Sequence, residues 1–186
     1  KTVTDKPLLQ VKNLQTCFYT PWGVVRAVDG IDFHVDRGEV LGIVGESGSG
    51  KTVTSLSVLR LVPKPGGRIA GGEILFKGKN LLEKSEQEMR KIRGSQVTMI
   101  PQDPMTSLNP VYRIGNQIGE PLALHKGLKK SSLKKKVMDL LKMVHIPSPE
   151  GRMRSYPHQF SGGMKQRAII AMCVSCQPDL IIADEP

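Results

Sequence analysis

Apolar positions change their period along the chain, and those changes predict its elements. Short β-type runs come first, over Leu8–Phe18, Val24–Val28 and Ile31–Val35. Glu39-Val-Leu-Gly-Ile-Val44 is a short, mostly apolar run leading into glycine-rich sequence, which predicts a buried strand. Thr52–Val62 carries apolar residues at mixed helical spacing, and Pro63-Lys-Pro-Gly-Gly67 forces that helix to stop. Strands are predicted at Glu73–Phe76 and Gln96–Ile100, with a polar helix around Ser85–Arg93 between them. From Asp103 to about Phe160 no convincing strand is legible. Proline, glycine and lysine there punctuate helices predicted over Arg113–Leu124 and Ser132–Val144. After Ser161 a helix to about Cys176 and a strand over Asp179–Ala183 follow. The order describes an α/β core with a helical insertion, without internal repeats.

Composition narrows the class. A chain of 186 residues buries one ordinary core, and 39% hydrophobic with 24% charged residues is the balance of a globular protein. No apolar run reaches the roughly 18 residues that a membrane-spanning helix needs. The longest candidate, Ala168–Ala183, is broken by Ser175, Gln177, Pro178 and Asp179. Three cysteines cannot close a disulfide framework. Cys173-Val-Ser-Cys176 lies in apolar helical sequence, where buried, reduced thiols are expected rather than a redox pair. The chain begins at Lys1 without a methionine and stops directly after a carboxylate pair, so a fragment or processed product is expected.

The formal charge of +10 admits nucleic acid or an anionic membrane as partners. Much of it is local, at Lys126, Lys129, Lys130, Lys134, Lys135 and Lys136. Leu133, Val137, Leu140, Leu141 and Val144 fall at helical spacing, so an amphipathic helix with its lysines in water is the favoured reading. No interleaved aromatic residues offer a base-stacking platform.

The candidate chemistry starts at Gly45-Glu46-Ser47-Gly48-Ser49-Gly50-Lys51-Thr52, which fits G-x-x-x-x-G-K-[ST]. In such a loop, consecutive backbone N–H groups surround phosphate oxygens and the following helix adds its positive end. Glycines at 45, 48 and 50 allow the close approach, Lys51 reaches the β- and γ-phosphates, and the Thr52 hydroxyl would ligate Mg²⁺. A glycine-rich turn before a helix with an exposed lysine is the plainer alternative. The predicted strand before the loop and the helix after it favour nucleotide binding.

Leu180-Ile-Ile-Ala-Asp184-Glu185 is an apolar strand closed by two carboxylates. Asp184 can hold magnesium through its water shell, and Glu185 can orient or deprotonate the attacking water. Gln102 stands where the core meets the helical insertion, and its amide oxygen could bind Mg²⁺ or that water. Alone, a glutamine in a loop is more often structural. Ser161-Gly162-Gly163 opens a helix: the serine suits an N-cap, and bare amides there attract anions. An ordinary capped helix is the competing account, and the chain already has one phosphate cradle.

Together these residues resemble the ATP-binding cassette family over nearly the whole chain. Gly45–Thr52 is similar to its Walker A loop, Gln102 to its Q-loop, Phe160–Met164 to its signature motif, and Leu180–Glu185 to its Walker B strand with catalytic glutamate. The family's usual Leu-Ser-Gly-Gly-Gln stands here as Phe-Ser-Gly-Gly-Met. Gln102–Pro110, His158–Arg167 and Pro178–Pro186 resemble most closely the ATPase subunits of bacterial oligopeptide and dipeptide importers.

The resemblance implies a phosphate-loop NTPase (RecA-like) α/β core with an N-terminal antiparallel β region and an inserted helical subdomain. The layout would be one nucleotide-binding domain over 1–186, incomplete at its C-terminus, with 1–102 and 161–186 as the ATP-binding core and 103–160 as the helical subdomain. ATP and Mg²⁺ are implied as cofactors, with Glu185 catalytic and Thr52, Gln102 and Asp184 on the metal. An aromatic ring would stack on adenine, Phe18 first by its spacing before Ala27-Val28, with Tyr19 and Trp22 as alternates.

Implied partners are a second ATPase subunit, identical or related, whose Ser161 segment closes on ATP held by the first. Transmembrane permease subunits would dock on the segment after Gln102 and the helical insertion, and an extracytoplasmic solute-binding protein would act through them, at the cytoplasmic face of a bacterial-type membrane. The family's D-loop and switch histidine lie beyond its Walker B motif. His34, His125, His145 and His158 all precede that motif here. Two other classes stay open: a soluble cassette ATPase acting on nucleic acid or ribosomes, and a truncated cassette that binds ATP without hydrolysing it. DNA-repair members carry a coiled coil or zinc-binding cysteines before the signature, and neither is present.

Overall fold

The structure, a computed structural model, describes residues 6–185. Its contacts divide the chain into two compact units with a boundary after Met89.

The first unit is built on an antiparallel sheet. β1 (Leu9–Thr20) and β2 (Gly23–Val35) form a hairpin, and β3 (Gly67–Phe76) pairs with the other edge of β1. The short β4 (Lys79–Asn80) follows, giving the order β2-β1-β3-β4. Along β1, Leu9, Val11, Leu14 and Cys17 are buried, and with Ile74 and Phe76 of β3 they make the apolar face. The predicted strands Val24–Val28 and Ile31–Val35 are one strand. Asp29-Gly30, between those two runs, is absorbed by the sheet as an irregularity: Leu14 pairs with Ile31 and Gln15 with Asp29, leaving Gly30 as the extra residue. A second slip leaves Ala27 without a partner, between Thr16–Val28 and Cys17–Arg26.

Helix α1 (Lys51–Val58) packs against β1 and β2. A buried hydrogen bond of 2.9 Å between the Thr16 and Ser57 hydroxyls ties helix to strand. The helix ends earlier than Val62, with Leu59 as its cap and Arg60 in the left-handed region (φ 53°). The Arg60 guanidinium donates to the carbonyl oxygens of Leu81 and Lys84, which fixes the chain beyond β4.

One expected element does not form. Glu39–Val44 lies in neither sheet, and Val40 and Val44 are 95% and 97% exposed. A buried strand takes its backbone hydrogen bonds and the cover of its side chains from neighbours on both edges. No described strand pairs with this run, so its apolar character alone does not order it.

The polar helix α2 (Glu86–Ile92) spans the boundary between the units. In the second unit, β5 (Val97–Ile100) and β6 (Leu180–Ala183) pair in parallel, Val97 with Leu180 through Ile100 with Ala183. Between them the chain is helical: α3 (Pro104–Ser107), α4 (Ile114–Lys126), α5 (Lys130–Met143), the single turn α6 (Pro149–Arg152) and α7 (Gly162–Val174).

The apolar stripe read from the sequence of α5 faces inward. Val137, Leu140 and Leu141 are buried with Ile114, Ile118 and Leu122 of α4, while Leu133 and Val144 pack at its margin. Leu141 is fully enclosed. Leu141→Ala is expected to cost about 3 kcal/mol, within the range for emptied leucine sites, read as a lower midpoint in denaturant unfolding. Phe160 belongs to the same core at 5% exposure, and Met164 packs against it, so the outer residues of the Phe-Ser-Gly-Gly-Met segment serve packing. All three cysteines are free and buried. Burial pushes the Cys173 thiol above its usual range, the opposite of what a redox-active pair needs.

Candidate functional site

Each unit contributes its own group of candidate residues. In the first, Gly45–Ser49 form an exposed loop that runs into α1, with Gly50 at the N-cap. Ser49 N–H donates to the Glu46 carbonyl at 3.2 Å, and Thr54 N–H donates to that of Gly50 at 2.8 Å. The Lys51 ammonium bends back over the loop and donates to the carbonyl oxygens of Gly45 (2.7 Å) and Glu46 (2.9 Å). The loop thus gathers three features of an anion site: exposed backbone amides, the positive end of a helix, and a lysine charge at the mouth. Phosphate oxygens are stronger partners for an ammonium than neutral carbonyls are, so a bound anion can draw Lys51 off the loop. Thr52 follows, exposed, in the first turn of α1.

Gly50 is dictated by sterics. Its φ is 92°, and a Cβ there would stand 2.3 Å from the Ala27 carbonyl oxygen. Ala27 is the residue left unpaired by the register slip in β2. The hairpin therefore holds the end of the loop through a backbone contact that no motif pattern records.

Phe18, Tyr19 and Trp22 separate by environment. Phe18 is half-buried, with its ring edge 3.0 Å from the position a Gly67 Cβ would take. Tyr19 is half-exposed under the Arg68 guanidinium, 5.5 Å from its ring centre. Trp22, at the hairpin turn, is 92% exposed. Phe18 is thus the ring most firmly held by its neighbours.

In the second unit the parallel pairing of β5 and β6 brings residues far apart in sequence to one end of the sheet. Asp184 N–H extends the ladder to the Ile100 carbonyl at 3.0 Å, and the Asp184 side chain is buried. Gln102, just beyond β5, donates through Nε2 to the Glu185 Oε2. Both side chains are exposed at the carboxyl ends of parallel strands, where open α/β sheets bind their ligands. Glu185 has φ 46°, a left-handed conformation that a side chain adopts at some cost and that recurs at functional positions. By residue type alone Gln102 reads more often as structural; its bond to Glu185, across 83 positions, is what associates it with the acids.

Ser161 caps α7, its Oγ accepting from Met164 N–H at 3.4 Å. Ser161, Gly162 and Gly163 are exposed, and a Cβ on either glycine would meet nothing within 4 Å. Unlike Gly50, these two glycines answer to no contact inside the described chain. Their lack of side chains keeps open an approach to the helix start.

Among the described residues no three His, Cys, Asp or Glu side chains converge as a ready-made metal cage. Magnesium bound to phosphates needs only one or two protein ligands beside phosphate oxygens and water, a demand that a single hydroxyl or carboxylate in each unit can meet without a preformed cage.

Comparisons with known proteins find similarity over most of the chain. A family model described as "ABC transporter" matches residues 28–186. The chain is 53% identical over 179 residues to a probable peptide ABC transporter ATP-binding protein, y4tR, of Sinorhizobium fredii (strain NBRC 101917 / NGR234), covering 96% of this chain and 53% of that protein. It is 52% identical to the oligopeptide transport ATP-binding protein OppD of Bacillus subtilis (strain 168), covering 96% and 50%. The chain therefore spans about half the length of these curated relatives. In three dimensions it resembles the dimeric, post-hydrolysis ATP-binding cassette MJ0796 bound to ADP and Pi, with a TM-score of 0.82 at 23% identity over 95% of this chain and 73% of that one. It also resembles cbiO1 of Clostridium perfringens, part of the transporter complex cbiONQ, with a TM-score of 0.74 at 25% identity over 98% and 66%. No described helix is long and apolar enough to cross a membrane.

Proposed function

This chain belongs to the ABC transporter family, and we propose that it is the ATP-binding and ATP-hydrolysing part of an importer for peptides or similar small solutes. The observation that carries the reading is the presence of two anion-seeking helix starts, one half-buried at Gly50-Lys51 and one exposed at Ser161-Gly162-Gly163. The first follows a glycine-rich backbone loop over which Lys51 bends back; no such loop precedes the second. It suits a γ-phosphate already held elsewhere, which is the role of a partner subunit in a head-to-tail dimer.

In this reading Gly45–Thr52 surrounds the phosphates of ATP, Lys51 neutralises the β- and γ-phosphates, and Phe18 stacks on adenine. Thr52, Gln102 and Asp184 are the residues that would hold Mg²⁺, whose charge offsets that on the phosphates during hydrolysis. Glu185 holds the attacking water and accepts its proton, with the Gln102 amide fixing the carboxylate. Residues 1–102 with 161–186 serve as the ATP-binding core, and 103–160 as the helical subdomain. The segment after Gln102 and the helical subdomain receive the permease subunits at the cytoplasmic face of the membrane, and a solute-binding protein outside selects the cargo. The descriptions of the relatives favour transport over a soluble cassette acting on nucleic acid or ribosomes.

Lys51→Met tests the reading at its centre. Removing the ammonium is expected to weaken binding of a fluorescent ATP analogue at least about ten-fold, the loss of one charge-assisted hydrogen-bonding group. The melting temperature should hold, because Lys51 contacts only its own loop. Unchanged affinity would overturn the assignment.

A further inference from the structure

The ATPase chemistry leaves one prominent feature unused, the lysine cluster at the junction of α4 and α5. We propose that this junction is an electrostatic docking surface for an anionic lipid bilayer.

Lys126, Lys129, Lys130, Lys134, Lys135 and Lys136 supply more than half of the formal excess of +10, with no acidic residue between the first and the last. All but the half-buried Lys136 are exposed, and none has an ion pair among the described residues. Lys129 is the N-cap of α5, Lys130 opens the helix, and the first turn has no acid. That end of a helix carries partial positive charge and is stabilised by anions. Lysines gathered there repel the helix end and one another. A purely solvated face would favour charges of mixed sign, so the arrangement suits a large, flat anion supplied from outside.

The surroundings choose among polyanions. The apolar stripe of α5 is committed to the core through Val137, Leu140 and Leu141, so the helix cannot lay an apolar face into lipid. Leu124, two positions before Lys126 in α4, is 73% exposed near the αL-capped turn at Gly127. An exposed leucine next in sequence to the lysine cluster fits the boundary between headgroups and acyl chains and has no partner on a phosphodiester backbone. No Phe, Tyr or Trp lies between Tyr112 and Tyr156 to stack on bases. The surface therefore matches phospholipid headgroups better than nucleic acid. It needs neither nucleotide nor permease, so it stands or falls separately from the ATPase reading.

The test is flotation of the full chain with vesicles of phosphatidylcholine alone or with one quarter phosphatidylglycerol, at 0.1 and 0.5 M salt. Binding is expected only to the anionic vesicles and is expected to fall at the higher salt. Changing Lys129, Lys130, Lys134 and Lys135 together to Gln should lower the partition coefficient at least about ten-fold, since each lysine near such a surface contributes roughly five-fold. Leu124→Ser should lower it by a smaller factor, and changing Lys6, Lys77, Lys79 and Lys91 to Gln should have little effect. An unchanged circular-dichroism melting curve for the cluster variant would show that it folds. Equal binding to neutral vesicles, equal losses in both four-lysine variants, or tighter binding to a short nucleic-acid duplex than to the vesicles would each overturn the proposal.

Discussion

Glutamine at position 185 is expected to leave ATP bound and to lower its turnover by about 100- to 10,000-fold, the span attributed to a positioned general base. The change is nearly isosteric. A glutamine oxygen can still accept the hydrogen bond from Gln102 Nε2, so the end of the β5–β6 sheet keeps its arrangement. What disappears is the basicity that holds the water and takes its proton. Measured in the full-length protein with its permease, the variant should bind ATP with unchanged affinity and accumulate the ATP-bound dimer. Turnover equal to that of the unaltered protein would remove Glu185 from the mechanism.

The second large effect is expected at Gly163. A Cβ there meets nothing within 4 Å outside its own helix turn in the described chain, and in a helix valine replaces a poorer helix former. Gly163→Val should therefore keep or raise the melting temperature and leave ATP affinity of the single chain intact, because the Gly45–Thr52 loop is untouched. ATP-dependent pairing should fail, and turnover should drop about 100-fold, as small displacements of a bound reactant commonly cause. Light scattering with and without ATP distinguishes the two variants, since Glu185→Gln favours the closed dimer and Gly163→Val prevents it. A marked fall in melting temperature would make the glycine an ordinary structural one. Normal pairing with normal turnover would remove the segment from the phosphate site.

Much of this was legible in the sequence because it is local. The amphipathic stripe of α5, the breaker after α1, the serine cap of α7 and the phosphate-loop pattern each occupy a few consecutive turns, where period and residue type report directly on burial. Glu39–Val44 was misread for the complementary reason. An apolar run records that a segment wants neighbours, and a strand exists only when they are there to accept its hydrogen bonds. The continuous β2 was hidden because Asp29-Gly30 serves a bulge as readily as a turn, and only the partner's register decides between them. The Gln102–Glu185 bond depends on β5 and β6 lying side by side, which no local pattern encodes. The motif order gave the family; the roles of individual residues still rest on the proposals made for each.

The slip at Ala27 also changes how damage to this protein should be understood. An insertion or deletion in the β1–β2 hairpin would leave every recognisable ATP motif unaltered on paper. It would nevertheless move the carbonyl against which Gly50 is fitted, and with it the end of the phosphate loop. A gene carrying such a change would look intact to anyone comparing motifs, and its product would fail to hold nucleotide. The hairpin is to this loop what a jig is to a part being machined: absent from the finished function, and responsible for its tolerance.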